Sequence, residues 1–84
     1  MLRQRYGLTV EKYDEMVLEQ GGLCLLCLKP PIQKRKHLVV DHSHITGEVR
    51  GLLCINCNAG IGMLNEDIYT LKRAIKYLSG TVND

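Results

Sequence analysis

Two short motifs, Cys24-Leu-Leu-Cys27 and Cys54-Ile-Asn-Cys57, constrain this chain more than anything else in it. Two residues between thiolates allow both sulfurs to face one ion, and two such pairs complete a closed tetrahedral zinc site. The 26 residues that separate the pairs (28–53) exceed the usual zinc-ribbon spacing, so a further element is expected between them. Two disulfides, or four unrelated core thiols, are the competing readings. The N-terminus opens Met-Leu-Arg-Gln-Arg-Tyr, charged at once, with no apolar run resembling a signal peptide. A reducing, cytoplasmic location is therefore the expectation, and there thiols favour metal over disulfides. A closed four-thiolate site leaves no open position, so this zinc is expected to be structural, with any chemistry placed elsewhere.

Size points the same way. Eighty-four residues are expected to form a single domain, 1–84, whose core contributes only a few kcal/mol net. The chain has no Phe or Trp, and its aromatics are Tyr6, Tyr13, Tyr69 and Tyr77. A core so poor in large rings needs a metal or covalent staple. No apolar run is long enough to span a bilayer.

The periodicity predicts an α+β chain. Residues 9–20 read as a helix, with Thr9 as N-cap, Tyr13, Met16, Val17 and Gln20 on one face, and Gly21-Gly22 as its stop. Pro30-Pro31 ends regular structure after the first cysteine pair. His37–Val40 and Glu48–Leu53 are expected to pair as a hairpin across the turn Ser43–Gly47. From Cys54 the spacing of Ile55, Ala59 and Met63 becomes helical, although Gly60 and Gly62 weaken it. A last helix is expected from about Glu66 to Leu78, with the stripe Ile68, Leu71, Ile75 and Leu78 and a stop at Gly80.

Charge is uneven. The net charge of +2 identifies no partner, but Lys29, Lys34, Arg35, Lys36 and Arg50 face only Asp41 and Glu48 between residues 29 and 50. Glu11, Asp14, Glu15 and Glu19 gather near the N-terminus. A basic middle segment can meet a phosphate backbone, and a solvated loop would have the same composition.

The same segment holds Asp41-His42-Ser43-His44, and Asn58 directly follows the last cysteine. Asp and Asn present hard oxygens suited to Mg²⁺ or a similar ion, and an adjacent imidazole suits general-base work on water. Neighbouring residues in a regular strand point to opposite faces, so Asp41 and His42 can share a site only where the strand ends or bulges. Taken singly, Asp41 reads as a turn cap, His42 and His44 as surface histidines, and Asn58 as a helix-terminus hydrogen-bonder. His37 has no such neighbours and is expected to be structural or exposed.

These residues carry a family resemblance. Cys24-Leu-Leu-Cys27, Val40-Asp-His-Ser-His-Ile-Thr-Gly47 and Val49-Arg-Gly-Leu-Leu-Cys-Ile-Asn-Cys-Asn-Ala-Gly60 resemble the phage recombination endonuclease VII family, within the HNH or ββα-metal nucleases. Tyr6-Gly-Leu-Thr9 and Gln20-Gly-Gly22 resemble its N-terminal segment, and the likeness covers about residues 6–64. The resemblance implies a ββα-metal core, stapled by the cysteine site and flanked by N- and C-terminal helices. It assigns Asp41 and Asn58 to a catalytic Mg²⁺ or Mn²⁺ and His42 to the activation of water. His44 would then orient the phosphate or support the metal shell, Arg50 would clamp a neighbouring phosphate, and Lys34, Arg35 and Lys36 would track the DNA backbone without reading sequence. The implied activity is one-metal hydrolysis of DNA phosphodiesters, on branched or nicked phage DNA, in the cytoplasm of a bacterial host. Junction-resolving members carry a carboxylate three residues after the Asn, where this chain has Ile61, and they continue further at the C-terminus. The resemblance also implies a homodimer built from intertwined helices. The stripe Ile68, Leu71, Ile75 and Leu78 is a candidate for that contact or for packing on the chain's own core. A non-catalytic zinc module that binds nucleic acid would not need Asp41, His42 and Asn58 together, and a zinc-stabilised protein-interaction module would leave the basic stretch unexplained.

Overall fold

The computed structural model describes residues 8–31 and 37–80. The chain is α+β, with, among the described residues, an antiparallel two-stranded sheet and three helices in the order α1 (Val10–Glu19), β1 (Val39–His42), β2 (Val49–Leu53), α2 (Ile55–Met63) and α3 (Ile68–Ser79). Lys34, Arg35 and Lys36 lie outside the described residues, as does Tyr6.

Each helix begins where a side chain can satisfy its free amides. Thr9 Oγ1 accepts from Lys12 N at 3.0 Å and Asp67 Oδ1 accepts from Tyr69 N at 3.0 Å. Cys54 plays the same part for α2, its sulfur accepting from Cys57 N at 3.4 Å. The first helix stops at Gly21-Gly22, both left-handed (φ +65° and +75°), as the sequence suggests. The last begins two residues later than the pattern implied. α2 closes first through a Schellman turn: Asn65 N donates to Gly62 O (2.9 Å) and Glu66 N to Ile61 O (2.8 Å), with Asn65 left-handed at φ +59°. Glu66 is left-handed as well (φ +54°), so it belongs to the turn and not to α3.

The core is small: Leu38, Leu52, Leu53, Cys24 and Cys54 are buried together, with Tyr13, Met16, Val17, Val40, Cys57 and Ile61 packed on it. Gln20 ties α1 to the sheet. Its side-chain amide donates to Leu52 O (2.9 Å) and accepts from Leu52 N (3.0 Å), filling the place of a neighbouring strand. Leu25 N also donates to Leu52 O, at 3.2 Å. Tyr13 adds a long-range tie, its hydroxyl donating to Leu38 O, and burial pushes that phenol above its ordinary range.

α3 behaves differently. It buries none of its residues, and Ile68, Ile75 and Leu78 of its apolar stripe are 60%, 67% and 81% exposed. Among the described residues, the chain's own core does not cover that face. No described helix is long and apolar enough to cross a membrane.

Candidate metal centre and oxygen-rich cleft

The hairpin insert returns the two cysteine pairs to one point. All four sulfurs lie within 4.8 Å of one another, and Cys27 Sγ and Cys54 Sγ are 3.8 Å apart. Tetrahedral zinc with Zn–S bonds of about 2.3 Å requires sulfurs roughly 3.8 Å apart, whereas a disulfide requires about 2.05 Å. The donor set and its spacing therefore fit one metal ion and exclude two disulfides. All four thiols are free.

Their acidities record the crowding. Burial pushes the Cys24 thiol up, but the backbone amides of Cys27, Cys54 and Leu26 outweigh it and hold the group at about 6. Cys57 is pushed up to about 12, by burial and then by the thiols of Cys54, Cys24 and Cys27. Four thiols so close together cannot all ionise without a cation between them.

The second cluster depends on an irregularity in the hairpin. Asp41 pairs with Gly51 but His42 pairs with Val49, so Arg50 is an extra residue with no partner across the ladder. The register shift falls at the Asp41–His42 step, where β1 ends, and both residues line the same cleft. The turn beyond β1 is tied by Ser43, whose Oγ accepts from Ile45 N and Thr46 N, both at 3.1 Å, and Gly47 closes it at φ +80°. Asn58 comes from the first turn of α2, its backbone N donating to Cys54 O at 3.0 Å. The metal centre thus fixes where Asn58 starts.

Asp41, His42, His44 and Asn58 line one cleft together with Val40, Gly62 and Glu66. The rings of His42 and His44 meet edge to face, with centroids 5.2 Å apart. His37 is exposed and apart from them.

Arg50 joins this cluster from the bulge. It donates to both oxygens of the buried Asp41, from Nε to Oδ2 at 2.8 Å and from Nη2 to Oδ1 at 3.0 Å. Nη2 also donates to Glu66 Oε1 at 2.9 Å, and Glu66 Oε2 meets Nδ1 of His44 at 3.0 Å. The hydrogen bonds it donates to Asp41 and Glu66 hold the guanidinium still more firmly charged, and Arg50, followed by the charge of His44, holds the Glu66 carboxyl below its usual range. Glu66 reads from sequence as a helix N-terminal acid. The signal for its real place is Asn65, a residue tolerant of the left-handed turn that ends α2 and redirects the chain. Ile61, three residues after Asn58, packs on the core and lines a separate apolar cleft with Leu25, Leu26 and Leu53.

Sequence comparison decides the relationship. Residues 1–80 match the family described as recombination endonuclease VII. The chain belongs to that family. It is also similar to the Gene 59 protein of Mycobacterium phage D29, 50% identical over 74 residues that make up 87% of this chain and 44% of the relative. The Gene 59 protein of Mycobacterium phage L5 is 46% identical over 74 residues, with the same coverage. The chain therefore spans less than half the length of these relatives.

Proposed function

We propose that this chain is a metal-dependent DNA endonuclease using HNH chemistry, held together by one structural zinc. The observation that carries the reading is the single cleft that Asp41 and His42, at the end of β1, line together with His44 and Asn58. Asp41 and Asn58 are suited to hold Mg²⁺ or Mn²⁺: the carboxylate has about four lone-pair sites, of which Arg50 occupies two. When bound, a divalent ion there supplies Lewis acidity and stabilises the departing 3′ oxygen.

The chain's own residues supply the rest. His42 removes a proton from the attacking water, leaving 5′-phosphate and 3′-hydroxyl ends. His44 orients the phosphate from the turn. Arg50, charged and 41% exposed along its side chain, is placed to clamp a neighbouring phosphate. Lys34, Arg35 and Lys36 follow the backbone of the DNA without reading its sequence. The substrate class is phage DNA, branched or nicked, in the cytoplasm of the host cell. A second copy of the chain covers the exposed stripe of α3.

Incubation of purified protein with supercoiled plasmid, with and without Mg²⁺ or Mn²⁺, tests the reading. Nicked or linear products that need the added ion support it. Retarded but uncut plasmid at every ion concentration would replace it with a non-catalytic DNA-binding module.

A further inference from the structure

Glu66 stands in the cleft without a role in the chemistry just described. The chain reaches it through two successive left-handed residues, Asn65 and Glu66, a conformation that side chains other than glycine seldom adopt. That turn does two things at once. It ends α2, and it brings a carboxylate back beside the hairpin, where the side chain is only 17% exposed. Each oxygen has a separate partner: Oε1 accepts from Arg50, and Oε2 faces Nδ1 of His44.

His44 itself is little constrained by packing. Its side chain is 71% exposed and sits in the hairpin turn. A ring in that position rotates about two bonds and exchanges its proton between two nitrogens unless something holds it. A carboxylate on Nδ1 settles both questions, because it fixes which nitrogen carries the proton and which way the ring is turned. The other groups facing the ring are His42 at its edge and the Asp41–Arg50 pair beyond Glu66.

We propose that Glu66 is a positioning residue of the cleft: by accepting from Nδ1 of His44 it fixes that ring's orientation and turns Nε2 away from the carboxylate, so that the doubly protonated ring donates Nε2–H to the phosphate. Ile61 packs on the core, and the carboxylate that lines the cleft beside Asp41 comes from the turn after α2. The inference rests on the nuclease reading for its consequence, but the Glu66–His44 pair itself does not.

Two measurements on the zinc-loaded protein separate these. The first is the ¹⁵N shifts of the His44 ring at a pH where the ring is neutral, without DNA or added Mg²⁺. In the unaltered protein the proton resides on Nδ1; in Glu66→Ala it moves to Nε2, the site that imidazole prefers in water. An unchanged tautomer overturns the pairing. The second is single-turnover cleavage. Glu66→Ala should slow the step about 10- to 100-fold with DNA affinity unchanged within about twofold, the range typical of a residue that orients another. Glu66→Asp, which keeps a carboxylate and suits the left-handed turn, should retain more of the rate. On a His44→Ala background, Glu66→Ala should cost nothing further. An equal loss on both backgrounds would show that Glu66 acts through Arg50 or through the fold, and would overturn the proposal. An unaltered protein that cuts no DNA, yet shows the tautomer change, would remove the nuclease reading and leave the pair standing.

Discussion

The thiol centre and the oxygen-rich cleft lie one helical turn apart on α2, yet they are built in opposite ways. At the centre four like residues converge on one point, two of them buried, with sulfurs already at the spacing a tetrahedral ion requires. In the cleft unlike residues come from a strand, a turn and two helix ends, and a guanidinium holds the acidic groups together. The lesson concerns tolerance. The first arrangement is placed to hold a metal, and a closed four-thiolate site of that kind couples metal binding to folding. The second is open and hydrogen-bonded, so its members can be changed one at a time without loss of the fold.

The largest effect expected from that contrast is on the cysteines. Cys54→Ser should release the metal and unfold the chain, because metal affinity and folding are one equilibrium in a site of this kind. Metal analysis should return about one zinc per chain, and circular dichroism should follow its removal by chelator. Protein that stays folded without zinc would erase the distinction between the two regions. The acidities add a sign. In the metal-free chain Cys57 carries a proton until about pH 12, so zinc must displace that proton at neutral pH. Zinc binding should therefore release protons, and its affinity should fall as pH falls.

The next effect belongs to the cleft. Asp41→Ala or Asn58→Ala should abolish cleavage, and His42→Ala should lower the rate by about 10²- to 10⁴-fold, the usual cost of losing a positioned base. All three variants should keep their zinc. His44→Ala should lose less, and added Mg²⁺ should restore part of it. If His44→Ala is inert while His42→Ala still cuts, the base has been assigned to the wrong ring.

A smaller change is expected from the basic segment. Neutralising Lys34, Arg35 and Lys36 together should flatten the salt dependence of DNA binding, by up to about 3 in the slope of log affinity against log salt, with little change in sequence preference. Titration of binding against salt measures this directly, and an unchanged slope would remove these residues from the interface.

The smallest effect separates the packed from the unpacked part of the chain. Leu52→Ala, at a fully buried position, should cost about 2–5 kcal/mol. Ile75→Lys should change the stability of the folded chain by no more than about 0.5 kcal/mol, because Ile75 is 67% exposed. The same substitution should abolish self-association measured by sedimentation. A large loss of stability in dilute, monomeric Ile75→Lys would mean that α3 packs on its own core after all.

The legible parts of this protein are those written in local chemistry. Cysteine spacing dictates the metal centre, because two residues between thiolates decide where the sulfurs can point. Thr9, Gly21-Gly22 and Gly80 mark helix ends, since capping and left-handed backbone are properties of one or two residues. Asp41, His42 and Asn58 stand out by type and by their place beside the cysteines. Other features depend on how elements meet. The bulge that makes Arg50 the extra residue arises from a register shift between two strands, and register is a property of the pair. Glu66 looks like a helix acid until the Schellman turn at Asn65 sends it back to the hairpin, where Arg50 and His44 are its partners. Periodicity gives α3 an apolar face without saying whether the core will reach it, and among the described residues it does not. Sequence names the chemical groups through local bonding rules, while tertiary structure decides which of them share a hydrogen bond, because those distances are set by packing between segments far apart in the chain.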